Sequence, residues 1–217
     1  MKTTHALKQL KQLYVLKKPE IQSRIREFEQ SWQVQDDGKI FEELSFCLLT
    51  PQSKARSCWN AIETLKEKNI LLSGSAEEIS GMLHCVRFHN KKADYVVSAR
   101  ALFMKNRKIA IKKTLGRFAD INACREWIVT NIKGIGYKEA SHFLRNIGLG
   151  MDIAILDRHI LKNLMLLGVI KKIPGSLSRK KYLDIEREMS LFAKRIGIPM
   201  SHLDLLLWCK ETGAIFK

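Results

Sequence analysis

Two glycines around one isoleucine, Gly134-Ile135-Gly136, separate two apolar stripes of helical period, and this limits what the chain can build more than any other feature. Downstream, Ala140, Phe143, Leu144 and Ile147 recur at i, i+3, i+4 and i+7, with Gly148 or Gly150 available to end the helix. Upstream, Cys124, Trp127, Ile128 and Ile132 form a matching stripe behind Asp120, a residue suited to cap that helix. Glycines permit positive φ and the close approach of another backbone, so residues 120–148 read as helix, hairpin, helix. Such a turn would direct amide N–H groups and the positive end of the second helix outward, towards a phosphate. A hairpin packed wholly inside a core would carry the same glycines, so the pattern alone leaves DNA binding open.

The rest of the chain obeys the same period. Residues 1–35 read as helical, with Leu7, Leu10, Leu13, Val15 and Leu16 before Pro19 and Ile21, Ile25 and Phe28 after it. Asp36-Asp37-Gly38 is a turn signal before a buried helix, Ile40 to Leu49. Thr50-Pro51-Gln52-Ser53 forms a loop ahead of a helix over 54–66, and Ser75 to Glu78 is a capping box for a helix over 76–83. Val86 to Asn90 is a further loop, with Asn90 the expected N-cap of a helix through Met104 that buries Tyr95, Val96, Ala99 and Leu102. Ser178 should cap a helix reaching Ile196, and Ser201 should start the last one, which carries Leu203, Leu206 and Leu207 on one side. No alternating run of β-branched residues is long enough for a sheet, so the fold class is all-α.

Lysine and arginine total 38 against 22 acids, a net charge of +16 that points to a polyanionic partner, although a basic or lysine-rich surface has other causes. No apolar run approaches the roughly 20 residues of a membrane span, and MKTTHALKQLKQL lacks the apolar core of a signal peptide. Cys47, Cys58, Cys85, Cys124 and Cys209 are scattered and odd in number, which suits reduced thiols and an intracellular location, cytoplasm or nucleoid. They contain no C-x-x-C pair.

Lys138 falls in the first turn of the second hairpin helix, where the helix dipole disfavours a cation and a structural lysine is out of place. Asp157 follows the apolar run Ile153-Ala154-Ile155-Leu156, just before a helix from Arg158 to Leu167, and suits its N-cap. His142 lies one helical turn after Lys138 on the same face and is a candidate to line a pocket there. The remaining histidines show no metal-ligand spacing.

The pattern G-I-G-Y-K followed by I-L-D-R-H resembles the helix-hairpin-helix, Gly/Pro-Asp superfamily of DNA glycosylases. From about Phe41 to Lys217 the chain is similar to its archaeal-type 8-oxoguanine DNA glycosylase/AP lyases, through LSFCLLTPQS, VRFHNKKADYVVSAR, KGIGYKEASHFLRNIG, AILDRHI and DLLLWCKETGAIFK. The resemblance implies a single glycosylase unit over 1–217, with a terminal lobe of 1–50 plus 170–217 and a central lobe of 51–169 that holds the hairpin. It implies that the chain extrudes 8-oxoguanine from double-stranded DNA. Lys138 would then attack C1′ of the deoxyribose and form a Schiff base, and Asp157 would stabilise the charge developing on the sugar. By the same resemblance, Gln52 fills the gap left by the extruded nucleotide, with a plain helix-connecting turn as its alternative, and Phe88 wedges the base stack or equally anchors the core. Gly134 and Gly136 would bind the DNA backbone, and hairpin carbonyls a structural monovalent cation. Trp208 suits stacking on the base, Asp204 could accept from its N1 and N2 edge, and the terminal Lys217 would stand at the base pocket. Endonuclease III-type relatives carry a four-cysteine iron-sulfur loop that this sequence lacks, so no cluster, zinc or other cofactor is expected. The family suggests a monomer. Two rival readings share the hairpin: an endonuclease III-like lyase for other damage or abasic sites, and a non-enzymatic DNA-binding module.

Overall fold

The computed structural model describes residues 2–217, and α1 (Lys2–Val34) runs unbroken through Pro19. The ring costs the helix its bond to the Val15 carbonyl. Val15 and Leu16 are 73% and 77% exposed, so this stretch lies on the solvent side of the helix, where water can take up the freed carbonyl. Leu10, Ile21, Ile25 and Phe28 supply the buried face instead.

Asp36 accepts a hydrogen bond from the Lys39 amide and starts α2 (Asp37–Leu49), whose residues from Ile40 to Leu49 are almost all buried. This helix stands at the centre, against α3 (Ala55–Glu67), α5 (His89–Phe103), α6 (Ile111–Leu115) and α8 (Tyr137–Asn146). The Ser75–Glu78 capping box opens α4 (Ala76–Met82), as its sequence predicts. Asn90 does not cap α5. Phe88 occupies the N-cap position at φ +58, and Asn90 accepts a hydrogen bond from Ser80. Val96 and Ala99 are buried on α5, whereas Leu102 is 40% exposed, because the buried face turns towards Lys92, Ala93 and Phe103. Beyond Phe103 the chain forms a short antiparallel hairpin, β1 (Met104–Lys105) with β2 (Lys108–Ile109), too short to leave an alternating signature.

Asp120 accepts from the amides of Asn122 and Ala123 and starts α7 (Ile121–Asn131), which the glycine turn joins to α8. Gly134 has φ +84, and a Cβ there would lie 2.2 Å from the Tyr95 ring, so only glycine fits between the two. Asp157 caps α9 (Arg158–Leu166), Ser178 caps α10 (Arg179–Ile196), and α11 (Met200–Thr212) begins one residue earlier than expected, behind Pro199. Among the described residues no helix is long and apolar enough to cross a membrane.

Two apolar clusters hold the chain together. One runs from Ile40 to Ile153, and the other joins Leu10–Phe28 to Ala154–Ile215, with α1 lying along α11. Within these clusters α2 packs with the central segment and α9 with the termini. The reason is that α2 is apolar on most of its circumference and is enclosed by central helices, while the second cluster begins at Ala154.

Candidate active site and nucleic-acid interface

Ile153 to Leu156 is buried and lies outside helix and strand, and side chains from elsewhere bond several of its backbone polar groups. The Glu186 carboxylate accepts from the Ala154 amide at 2.7 Å. The Tyr182 hydroxyl donates to the Ala154 carbonyl at 2.6 Å and accepts from the Leu156 amide at 3.2 Å. Arg125, 1% exposed, grips Glu186 with two bonds of 2.7 and 2.8 Å and also reaches Ser141 on α8. Burial disfavours the Arg125 charge, but the Glu186 carboxylate outweighs it and holds its pKa above the ordinary arginine value. One network thus joins the hairpin helices, α10 and the segment that ends at Asp157. Nothing in the spacing of Arg125, Tyr182 and Glu186 announced it.

Asp157 Oδ1 alone accepts from the amides of His159 and Ile160, both at 2.8 Å. Oδ2 takes no part in the cap. Lys138 is a quarter exposed on the first turn of α8, 3.4 Å from Glu139. Its helix start has no capping side chain, since Gly136 occupies the N-cap, so the first amides of α8 have no intrahelical partner. The Asp204 carboxyl feels the charges of both Lys138 and Asp157, more weakly than its own burial and Arg145. Burial pushes Asp204 up to about 6, opposed by Arg145 at 3.3 Å.

His142 is buried, and neither ring nitrogen has a hydrogen-bond partner among the described residues. Burial and the nearby cations Arg145 and Lys138 hold its pKa well below the ordinary histidine value, so the ring is neutral. Phe46 stands edge-on to it at 5.6 Å, and Phe216 edge-on to Phe46 at 6.5 Å. The side chain of Lys217 closes this space: its ammonium lies over the Trp59 ring at 3.1 Å and on the Glu43 carboxylate, which also accepts from Asn146. Glu43, Phe46, Trp59 and Asn146 were not foreseen as site residues. The available signal was the pair Glu42-Glu43 inside a largely apolar stretch of α2, of which Glu43 is the buried member. Trp208 is half-buried on α11, one turn beyond Asp204.

Gln52, Phe88, Gly134 and Gly136 are all exposed. Gln52 has φ +55 and Phe88, 53% exposed, has φ +58, left-handed conformations that non-glycine residues rarely adopt. The Arg87 guanidinium lies 4.8 Å from the Phe88 ring. The buried thiols of Cys58 and Cys124 are each pushed by burial to about 11 and stay protonated, unsuited to act as nucleophiles. Among the described residues no group of three His, Cys, Asp or Glu side chains could hold a metal ion. A surface cavity of about 310 Å³ lies apart from all of this, between Ile170, Lys172, Asp184 and Glu188.

The family model described as 8-oxoguanine DNA glycosylase matches residues 21–198. The 8-oxoguanine DNA glycosylase/AP lyase of Fusobacterium nucleatum is 46% identical over 217 residues, covering 100% of both chains. The crystal structure of Methanocaldococcus jannaschii 8-oxoguanine DNA glycosylase superposes with a TM-score of 0.87 at 36% identity, again over 100% of both chains. A second structure of the Methanocaldococcus jannaschii protein, in complex with a 15mer DNA containing 8-oxoguanine, gives 0.86 at 37% identity over 96% of this chain and 99% of that one.

Proposed function

This chain belongs to the 8-oxoguanine DNA glycosylase family, and from that premise we propose how its residues act. The protein is an 8-oxoguanine DNA glycosylase and AP lyase that works on double-stranded DNA. Lys138 is the nucleophile. As a neutral amine it attacks C1′ of the extruded nucleotide, the glycosidic bond breaks and the base leaves with the bonding electrons and a proton. The sugar ring then opens to a Schiff base, loss of a C2′ proton follows, and the C3′–O bond breaks, which cuts the strand by β-elimination. Asp157 faces the positive charge that grows on the sugar, with the oxygen that the helix cap leaves free. The observation that supports this reading is the geometry of Asp157, whose Oδ1 takes both helix amides while Oδ2 has no part in the cap.

The base would lie beside His142, whose two unpartnered nitrogens suit the polar edge of a purine. Trp208 stacks on the base, Lys217 borders it, and Asp204 contributes to its recognition from the floor of the pocket. Gln52 and Phe88 enter the duplex, and the amides of Gly134 and Gly136 hold the backbone, where hairpin carbonyls bind a monovalent cation. The enzyme acts as a monomer in the cytoplasm or nucleoid and needs no redox or metal cofactor.

The test is borohydride trapping of wild type and Lys138→Gln on duplexes holding 8-oxoguanine, thymine glycol, undamaged guanine or an abasic site. A covalent adduct on 8-oxoguanine and abasic DNA, lost in the variant, is the expected result. An adduct chiefly on thymine glycol, or one that survives the substitution, overturns it.

A further inference from the structure

Lys92 is a buried lysine, 4% exposed, with no carboxylate at ion-pair distance among the described residues. Its ammonium donates to three neutral oxygens: the Leu49 carbonyl at 2.7 Å, the Pro51 carbonyl at 2.6 Å and the Ser53 hydroxyl at 3.1 Å. Three N–H groups meet three acceptors, one on the last residue of α2 and two on the loop that carries Gln52. The Lys92 amide donates to the Phe88 carbonyl at 3.0 Å. Ser53 Oγ also accepts from the Arg87 amide at 3.0 Å. The Gln52 loop and the start of α5, far apart in sequence, are therefore joined by two links: the Lys92 ammonium, whose backbone lies in the first turn of α5, and the Ser53 hydroxyl on the Arg87 amide.

Both exposed tips carry left-handed backbone, at about 1–2 kcal/mol for a non-glycine residue. Such conformations persist only where the surroundings impose them. Burial of an ammonium is itself costly, and here burial lowers the pKa of Lys92. An apolar residue would fill the same space without that penalty, but it would leave two carbonyls and a hydroxyl unfixed.

We propose that Lys92 is a positioning residue that staples the Gln52 loop to the Phe88 junction, so that the two side chains enter the duplex as one rigid unit. The inference rests on the reading above that Gln52 and Phe88 enter DNA. A loosened pair would still fit against the helix but would not hold the stack open while the base leaves. Nucleotide extrusion then falls, whereas chemistry on a pre-formed abasic sugar, which has no base to unstack, persists.

The experiment compares Lys92→Met, Ser53→Ala, Gln52→Ala and Phe88→Ala with wild type. Extrusion is read by 2-aminopurine placed beside the lesion, excision by single turnover on duplex 8-oxoguanine, and chemistry by cleavage of a pre-formed abasic site. Lys92→Met should slow extrusion and excision about tenfold or more while abasic cleavage stays within about twofold. Ser53→Ala, which keeps the lysine, should act in the same direction by about two- to fivefold and decides the matter if Lys92→Met does not fold. In a Gln52→Ala background, Lys92→Met should add less than about twofold, since its effect runs through Gln52. Equal losses of excision and abasic cleavage in Lys92→Met and Ser53→Ala overturn the staple, as does full multiplication with Gln52→Ala. If Gln52→Ala and Phe88→Ala leave extrusion at wild-type rate, the reading of the two tips fails and the staple with it. If those two slow extrusion and Lys92→Met and Ser53→Ala do not, the staple alone fails.

Discussion

The proposed mechanism gives the two oxygens of Asp157 different jobs, so substitutions can separate them. Oδ1 accepts both helix amides at 2.8 Å, and Oδ2, outside the cap, is the oxygen proposed to face the sugar. Asparagine offers an equivalent acceptor and ranks with aspartate as an N-cap, so Asp157→Asn should cost no more than a few tenths of a kcal/mol. Alanine removes the cap at about 1 kcal/mol, which for a chain of this size lowers Tm by about 2–4 °C. The charge is lost equally in both. Removing one preorganised group that stabilises developing charge typically costs about 3–4 kcal/mol, or roughly 10² to 10³ in rate. Single-turnover excision of 8-oxoguanine and thermal melting, measured on the same preparations, make the comparison. Both variants should fall by that factor in excision while only alanine shifts Tm. An asparagine variant that excises at wild-type rate refutes the electrostatic role. Activity that follows Tm across the two would reduce Asp157 to a helix cap.

Deletion of Lys217 leaves Glu43 with Asn146 as its remaining partner and strips the cation from Trp59, so excision of 8-oxoguanine should fall more than cleavage of a pre-formed abasic site; equal loss on both substrates argues against a base-pocket role. Arg125→Met strands the Glu186 carboxylate and should destabilise the chain by about 3–5 kcal/mol in denaturant melts, whereas Arg125→Met with Glu186→Met should recover much of that loss. Burial raises Asp204 from 3.8 to about 6, so the folded state binds this proton more tightly than the unfolded one. The stability that its protonated form contributes is complete below about pH 4 and lost as pH rises through about 6. The Tm advantage of wild type over Asp204→Asn should therefore be smaller at pH 8 than at pH 5, and a flat difference contradicts the burial argument. With a net charge of +16, affinity for duplex should drop steeply with salt, and a nearly salt-independent Kd would count against backbone binding through basic groups.

The sequence by itself determined the helices, most of their caps and the hairpin, because these depend on residues within a few positions of one another. Asp36, Ser75, Asp120, Asp157 and Ser178 each bond amides two or three residues on, and the glycine at Gly134 answers a local demand for positive φ. The ordered motifs around Lys138 and Asp157 likewise made the family legible, although neither spacing nor periodicity could say that Arg145 pairs with the buried Asp204. Only the tertiary structure decided what lies between distant segments. Pro19 stays within a helix because the stretch that holds the freed carbonyl lies on the solvent side, a matter of which side α1 buries. Phe88 takes the N-cap position at positive φ, with its carbonyl bonded to the Lys92 amide and its neighbour Arg87 to Ser53. Lys217 meets Glu43 across 174 positions of chain, Glu186 meets Arg125 across 61, and Lys92 meets the Leu49 carbonyl across 43. Each is a buried polar contact whose partner is chosen by packing, and no local pattern of residues encodes a partner that only the folded core brings near.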